Sequence, residues 1–111
     1  MPRRRSQGRS DANGLPGEPD RERTIALLRA IAHPARLLVL LTLHRRGPMS
    51  VSDLQRHCGI EQSAMSHQLQ VLRSARLVST RREGKQVIYD LQDKHVAHIV
   101  EDAILHASER A

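Results

Sequence analysis

Aromatic side chains are almost absent from this sequence, which has one tyrosine, no tryptophan and no phenylalanine. Because Leu, Val, Ile and Ala bury less area per side chain than aromatic residues do, we expect a second subunit to complete the core. Cysteine is as scarce, and the single Cys58 cannot form an internal disulfide. No stretch has the apolar length of a signal peptide or a membrane span. These absences favour an oligomeric, cytoplasmic protein without membrane contact.

Basic residues exceed acidic ones. The 111 residues include 18 Lys and Arg against 12 Asp and Glu, a formal net charge of +6. Such an excess favours a polyanionic partner, nucleic acid before membrane, although a merely soluble basic surface is the alternative interpretation. The length suits one domain, and the hydrophobic content of 39% allows a modest core.

The chain changes character near residue 20. Residues 1–20, MPRRRSQGRSDANGLPGEPD, are rich in Arg, Ser, Gly and Pro and have little to bury, which predicts a disordered basic tail. From Arg21 the apolar residues recur at helical spacing, and this first helix is expected to end near Ala32, since the following residue precedes Pro34. A second, core helix is predicted in PARLLVLLTLHRR, which is followed by Gly47.

The stretch SVSDLQRHCGIEQSAMSHQLQVLRSARLV has the spacing of a helix-turn-helix. It predicts a short helix, a tight turn at Cys58-Gly59 and a longer helix from about Glu61 to Ala75. Six apolar residues are expected to pack inward: Val51, Leu54, Ile60, Met65, Leu69 and Leu72. Five polar residues are expected to face outward and to hydrogen-bond base edges and phosphates: Gln62, Ser63, Ser66, His67 and Gln70. A helical hairpin with a polar outer face and no DNA-binding role is the alternative.

A β-hairpin signature follows the predicted helix-turn-helix. Two alternating runs, Leu77 to Arg81 and Gln86 to Leu91, flank the turn Arg82-Glu83-Gly84-Lys85. A basic hairpin directly after a candidate recognition helix is the wing of a winged helix, whereas an ordinary hairpin with solvated charges is the alternative. Three residues of the wing are expected to contact phosphates or reach the minor groove: Arg81, Arg82 and Lys85. Residues 21–111 are thus predicted to form one winged helix-turn-helix domain, mainly α-helical with a small β-hairpin.

The last predicted helix, in DKHVAHIVEDAILHASE, carries four potential metal ligands: Asp93, His95, His106 and Glu109. A helix rises about 1.5 Å per residue, so the two histidines stand roughly 16 Å apart, whereas a metal holds its ligand nitrogens at about 2.0 Å. One helix therefore cannot close this site. An apolar stripe on the same helix is interpreted as a dimer seam: Val96, Ile99, Val100, Ala103, Ile104 and Ala107.

Three segments together resemble the ArsR/SmtB family of bacterial winged-helix metal sensors, over about residues 21 to 109: AIAHPARLLVLLTL, VSDLQRHCGIEQSAMSHQLQVLRSARLV and RREGKQVIYDL. The resemblance implies a homodimeric repressor that binds a palindromic operator of a metal efflux or storage gene and leaves it when metal binds. It also implies that Ser63, Ser66 and His67 lie on the recognition helix.

Members of this family differ in where they hold metal. Soft-metal members place cysteines in a stretch like PMSVSDL, where this chain has Ser50 and Ser52, and hydroxyl groups are poor ligands for arsenic, cadmium or lead. The resemblance therefore implies that the soft-metal site is absent here. The other family site, D-x-H-x(10)-H-x-x-E, is matched by all four potential ligands of the last predicted helix.

Two copies of that helix remove the distance problem. If they cross antiparallel about a two-fold axis, Asp93 and His95 of one chain meet His106 and Glu109 of the other, and two equivalent sites result. Asp93 and His95 would point to different sides of a regular helix. Asp93 suits the N-cap, however, where the backbone is not helical and its carboxylate can turn towards the side of His95. Two imidazoles and two carboxylates suit tetrahedral Zn(II) first; Co(II) also fits, and Ni(II), which prefers more ligands, is a further candidate. His98 is expected to face solvent rather than to supply a fifth ligand.

An enzyme is not expected, because the sequence has no H-E-x-x-H motif, no nucleophile elbow and no glycine-rich phosphate loop. A winged-helix regulator that does not respond to metal is one alternative. The other is a regulator that senses thiol oxidants through Cys58, which is otherwise expected to be a small buried residue near the turn.

Overall fold

The computed structural model of the chain describes residue 10 and residues 12–109. Half of the predicted basic tail, residues 1–9 and 11, lies outside the described residues, so the disorder of that half stays a prediction. The first helix, α1 (Glu18–Ile31), begins at Glu18 rather than at Arg21. A proline in its first turn is compatible with this earlier start, because the amide groups of that turn have no intrahelical partner in any case.

The predicted core helix is confirmed as α2 (Pro34–Arg46). The ring nitrogen Nδ1 of His33 accepts a hydrogen bond from the Ala35 amide and caps its start. Three apolar side chains of α2 are almost completely buried: Val39, Leu40 and Leu43. Helices on both sides of it in sequence pack against α2, as does part of the sheet. This helix is therefore the centre of the core.

The helix-turn-helix is confirmed as α3 (Val51–Cys58) and α4 (Gln62–Ser74). Gly59 joins them with a φ of 66°, in the left-handed region that suits glycine. Four of the six residues expected to pack inward are buried, and the other two are partly buried against the same core: Leu54, Met65, Leu69 and Leu72, then Val51 and Ile60.

The hairpin is confirmed, but its first strand extends two residues further towards the turn than the sequence suggests. Strand β2 (Val78–Glu83) pairs antiparallel with β3 (Gln86–Leu91), so the turn contains only Gly84 and Lys85. Arg81 and Arg82 therefore lie within β2 and not at the tip of the hairpin, which corrects the four-residue turn. The positive φ of Gly84, 63°, makes this two-residue turn accessible.

A third strand was not predicted. Strand β1 (Met49–Ser50) pairs antiparallel with β3, which gives the sheet order β1-β3-β2. Two residues are too few to show an alternating pattern, and the neighbouring helix α3 begins immediately after them. The serine of this strand, Ser50, is buried, and its hydroxyl accepts a hydrogen bond from the Asp53 amide to cap α3.

The last helix, α5 (Lys94–Ser108), shows that the predicted dimer seam was partly wrong. Val96 and Val100 are buried within their own chain, and Ile99 is partly buried against the same core. Helix α5 packs against α2 and β3 here, because an apolar stripe is covered by whichever partner lies nearest. Of the remaining stripe residues, Ala103 and Ala107 are exposed.

Several large apolar side chains stay exposed on α1, α2 and α5. Ile25 and Leu28 of α1 are 49% and 50% exposed, Leu38 of α2 is 41% exposed, and Leu105 of α5 is 56% exposed. Within the described residues, no single helix has the length and hydropathy of a membrane span. Helices α1 and α2 have that length and hydropathy only when they are counted together, and they are bent by 88° relative to each other.

The turn between α3 and α4 generates a stability prediction. Gly59→Ala is expected to lower the free energy of unfolding by about 1 kcal/mol, because an L side chain is strained at this φ. No atom lies within 4 Å of a Cβ added at Gly59, so the cost is conformational rather than steric. Gly59→Asn is the matched control and is expected to cost less, since asparagine tolerates this conformation. Urea unfolding measures both, and an alanine variant as stable as the wild type contradicts the account.

Candidate DNA-binding surface and metal ligands

The outer face of helix α4 is polar and exposed. The opposite face contributes Met65, Leu69 and Leu72 to the core, so the orientation of the helix is fixed by packing. All five residues predicted to meet DNA from this helix are exposed: Gln62, Ser63, Ser66, His67 and Gln70. The structure thus places them on one accessible surface, as the apolar spacing of the helix predicts.

The start of α4 contains a functional feature that sequence analysis missed. Glu61 is the N-cap residue, and its Oε1 atom accepts a hydrogen bond of 3.0 Å from the Ala64 amide. The Ser63 hydroxyl donates to the same carboxylate, at 2.7 Å and 2.9 Å from its two oxygens. These hydrogen bonds, that of the Ser63 side chain first, lower the pKa of the Glu61 carboxyl below its ordinary value. Glu61 therefore places a negative charge beside the uncharged polar side chains of α4 at neutral pH.

The wing presents its basic side chains unequally. The Arg81 guanidinium pairs with Glu83 on the same strand, at 2.7 Å between Nη2 and Oε2. Arg82 and Lys85 are exposed and form no ion pair within the described part of the chain. Arg82 and Lys85 are therefore more available to phosphate oxygens than Arg81 is.

Arg36 connects helix α4 to α1 by hydrogen bonds. Its Nη1 donates to Gln68 Oε1 of α4 at 2.8 Å, and its Nε donates to the Ala30 carbonyl of α1. An open groove of about 660 Å³ lies beside it, between α1 and α4, and both His67 and Gln70 line this groove. The predicted DNA-facing surface therefore continues from α4 towards α1.

The four predicted metal ligands form two separate pairs at the two ends of α5. Asp93 Oδ1 lies 3.5 Å from His95 Nδ1, and His106 Nδ1 lies 3.8 Å from Glu109 Oε1. Asp93 is the N-cap of α5, as predicted, and its Oδ1 accepts hydrogen bonds from the His95 and Val96 amides. The two imidazoles are 92% and 89% exposed. No three potential ligands converge anywhere in the described residues of one chain.

A second polar cluster joins α5 to the end of α2. Glu101 accepts a hydrogen bond from Arg45, with Nη2 at 3.1 Å and 3.2 Å from its two oxygens, and lies 3.3 Å from His44 Nε2. His98 is exposed and, with Asp102, lines a cavity of about 280 Å³ beside this cluster. His98 therefore belongs to neither ligand pair. Its exposure agrees with the solvent-facing position that the sequence predicts.

Cys58 lies at the end of α3 and is partly buried. Its Sγ atom is 3.6 Å from Thr42 Oγ1 of α2. The predicted position near the turn is confirmed, but the side chain is partly rather than fully buried.

A helical core with a helix-turn-helix and a β-hairpin wing defines a winged helix-turn-helix protein. A family model described as "Helix-turn-helix domain" matches residues 31–81. The chain is 49% identical over 80 residues to the HTH-type transcriptional regulator NmtR of Mycobacterium tuberculosis, across 72% of this chain and 66% of that protein. It is 40% identical over 100 residues to the HTH-type transcriptional repressor SmtB of the same species, across 87% of this chain and 73% of that protein.

A solved structure agrees with these sequence relatives. The homodimeric winged helix-turn-helix DNA-binding domain of Mb0332 from Mycobacterium bovis superposes with a TM-score of 0.78 at 27% identity, and covers 92% of this chain and 90% of that one. The chain belongs to the ArsR/SmtB family of transcriptional regulators. Its relatives are DNA-binding regulators and not enzymes, which confirms the prediction that the chain has no catalytic function.

Proposed function

We propose that this regulator is a metal-responsive repressor, which binds a palindromic operator as a homodimer and is released when Zn(II) occupies sites shared between two chains. The observation that carries the proposal is the arrangement of ligands on α5, in two exposed pairs at opposite ends of one helix. Neither pair is sufficient for a tetrahedral site, and each is complementary to the other. Co(II) and Ni(II) are alternative metals, and the cytoplasm is the proposed location.

A second copy of this chain is the proposed partner for the exposed apolar residues. Ile25 and Leu28 of α1 and Leu105 of α5 are each about half exposed, on the two helices that flank the core. Burying the exposed half of such a side chain is favourable by about 1 kcal/mol each. The Mb0332 domain, which has the same fold, is described as homodimeric. A dimer through α1 and α5 also leaves the outer face of α4 free for DNA.

The side chains on α5 fit a divalent metal. Asp93 Oδ1 is occupied by two backbone amides, which orients the carboxylate and leaves its second oxygen for a ligand bond. Two imidazoles and two carboxylates from two chains complete four ligands and balance the double positive charge of the ion. When bound, the metal supplies cross-links between the two α5 helices. Serine in place of cysteine at residues 50 and 52 offers no competing thiolate site.

DNA binding is proposed for the exposed face of α4 and for the wing. Ser66 and His67, with Gln62, Ser63 and Gln70 beside them, are exposed, and we propose that they contact base edges in the major groove. Arg82 and Lys85 are proposed to hold phosphates, and Arg81 does so less because it pairs with Glu83. In a symmetric dimer the two α4 helices enter successive major grooves, about one helical turn apart.

Release by metal is proposed to be thermodynamic coupling between α5 and α4. A dimer shape that favours ligand contact across α5 is one in which the two α4 helices no longer match the spacing of the operator. By linkage, operator DNA then weakens metal binding by the same factor. The coupling free energy that corresponds to this factor is typically about 1 to 3 kcal/mol.

The roles of the wing and of α4 can be separated by salt dependence. Arg82→Ala is expected to weaken binding to all DNA sequences alike and to reduce the slope of log affinity against log salt by about one. Ser66→Ala is expected mainly to reduce discrimination between operator and random DNA. Arg45→Ala is the charge-matched control, because its guanidinium pairs with Glu101 on α5. Fluorescence anisotropy measures these affinities, and an unchanged salt slope in Arg82→Ala contradicts the wing assignment.

The shared site can be tested by mixing two variants that each lose the response to zinc. His95→Ala and His106→Ala are each expected to abolish zinc-driven release while leaving operator binding without metal nearly intact. In a heterodimer of the two variants, one shared site loses both histidines and the other keeps all four ligands. Zinc titration of the purified heterodimer should therefore recover one tight site per dimer. No recovered site in an intact heterodimer contradicts the shared-site proposal.

Two controls complete this experiment. His98→Ala removes an exposed histidine of the same helix that belongs to neither ligand pair, and it should keep the full zinc response. Cys58→Ser tests the thiol-oxidant alternative. If peroxide but not zinc releases the wild-type protein, and Cys58→Ser abolishes that release, the metal proposal is wrong.

A further inference from the structure

Glu61 and Ser63, at the start of helix α4, form a hydrogen bond in which the serine hydroxyl is the donor. Ser63 Oγ lies 2.7 Å and 2.9 Å from the two carboxylate oxygens of Glu61. An ionised carboxylate only accepts hydrogen bonds, so the hydroxyl proton of Ser63 is donated to Glu61. The lone pairs of Ser63 Oγ, which accept, are what this exposed side chain still offers to a ligand.

The charge on Glu61 keeps this arrangement in place at neutral pH. Its carboxyl has a pKa below the ordinary value, chiefly because of the Ser63 hydroxyl and then because of the Ala64 amide. The Ala64 amide is itself used by the cap, at 3.0 Å from Glu61 Oε1. Glu61 and Ser63 therefore form an acceptor-only patch at the end of α4 that enters the groove first in a helix-turn-helix.

Bases differ in what they present to such a patch. In the major groove, cytosine offers its N4 amino group and adenine its N6 amino group, whereas guanine and thymine offer only acceptors among their polar atoms. A serine alone contacts either kind, because its hydroxyl can donate or accept. With the proton committed to Glu61 that freedom is lost, and an acceptor of guanine or thymine would face an anion.

We propose that Glu61 is a specificity-determining residue for DNA: it turns the start of α4 into an acceptor-only patch that selects cytosine or adenine at one position of each operator half-site. The inference rests on the proposed function, in that α4 lies in the major groove. Glu61 acts both directly, through its carboxylate, and as a positioning residue for Ser63. Gln62 has donors as well as an acceptor, so its side chain does not by itself discriminate between bases that offer a donor and bases that offer an acceptor.

Two substitutions at Glu61 separate its charge from its capping role. Glu61→Ser keeps an oxygen suited to the N-cap but removes the carboxylate, so that Ser63 regains its proton for donation. Glu61→Asp keeps both the cap and the charge. Glu83→Gln is the matched control, since it removes one negative charge from the wing and not from α4.

The experiment is selection of random double-stranded DNA by the full-length protein and by each variant, followed by sequencing and anisotropy. For the wild type and Glu61→Asp, one position per half-site should favour both cytosine and adenine over guanine and thymine on one strand, and therefore the reverse on the complementary strand, by about tenfold. Glu61→Ser should lose this preference at that position alone. Glu83→Gln should strengthen binding to all sequences and leave every preference unchanged. Circular dichroism verifies that each variant retains its helices.

The outcomes distinguish this inference from the function on which it rests. If the wild type enriches no sequence, the operator-binding proposal fails, and the inference fails with it. If the wild type enriches a sequence that Glu61→Ser also selects unchanged, only the inference is overturned. It is overturned as well if the position altered in Glu61→Ser does not distinguish the two orientations of a base pair, C·G from G·C or A·T from T·A, or if Glu61→Asp loses the preference as fully as Glu61→Ser does.

Discussion

Burial of helix α2 is the interaction on which the other elements depend. Its Val39, Leu40 and Leu43 are buried almost completely, and helices α1, α3, α4 and α5 and strand β3 all pack against it. Because protein interiors are close-packed, a displacement of one neighbour of α2 cannot be absorbed without movement of others. The proposed metal ligands lie on α5 and the proposed base contacts lie on α4. We propose that contact of both helices with α2 is the physical route by which one surface influences the other.

The fold was predictable from sequence wherever local signals are strong. The backbone conformation was predictable at Gly59 and at the proline and glycine that bound α2, because these residue types favour turns and helix ends. The spacing of Leu54, Met65 and Leu69 likewise predicted which faces of the two helices are buried. Strand β1 was missed because two residues carry no period. The stripe on α5 was misassigned in part because periodicity shows which residues share a face, and not whether α2 or a second chain covers that face.

The candidate site was predictable in its residue types but not in its contacts. The N-cap role of Asp93 followed from its place before an apolar period, and its proximity to His95 followed from that role. The hydrogen bond between Glu61 and Ser63 did not follow, because glutamate is an uncommon N-cap and the contact depends on side-chain rotamers. Likewise, the pairing of Arg81 with Glu83, which leaves Arg82 and Lys85 as the free cations of the wing, depends on the register of a strand that extends further than expected.

The central claim is that metal on α5 and DNA on α4 oppose each other through one dimer. Its most direct test is to measure the operator affinity of the wild-type dimer with and without saturating Zn(II), together with the Zn(II) affinity of the free and operator-bound dimer, at one salt concentration. The account predicts that zinc weakens operator binding and that operator weakens zinc binding by the same factor, on the order of tenfold or more. Equal operator affinity with and without zinc, while zinc is bound to α5, would contradict it.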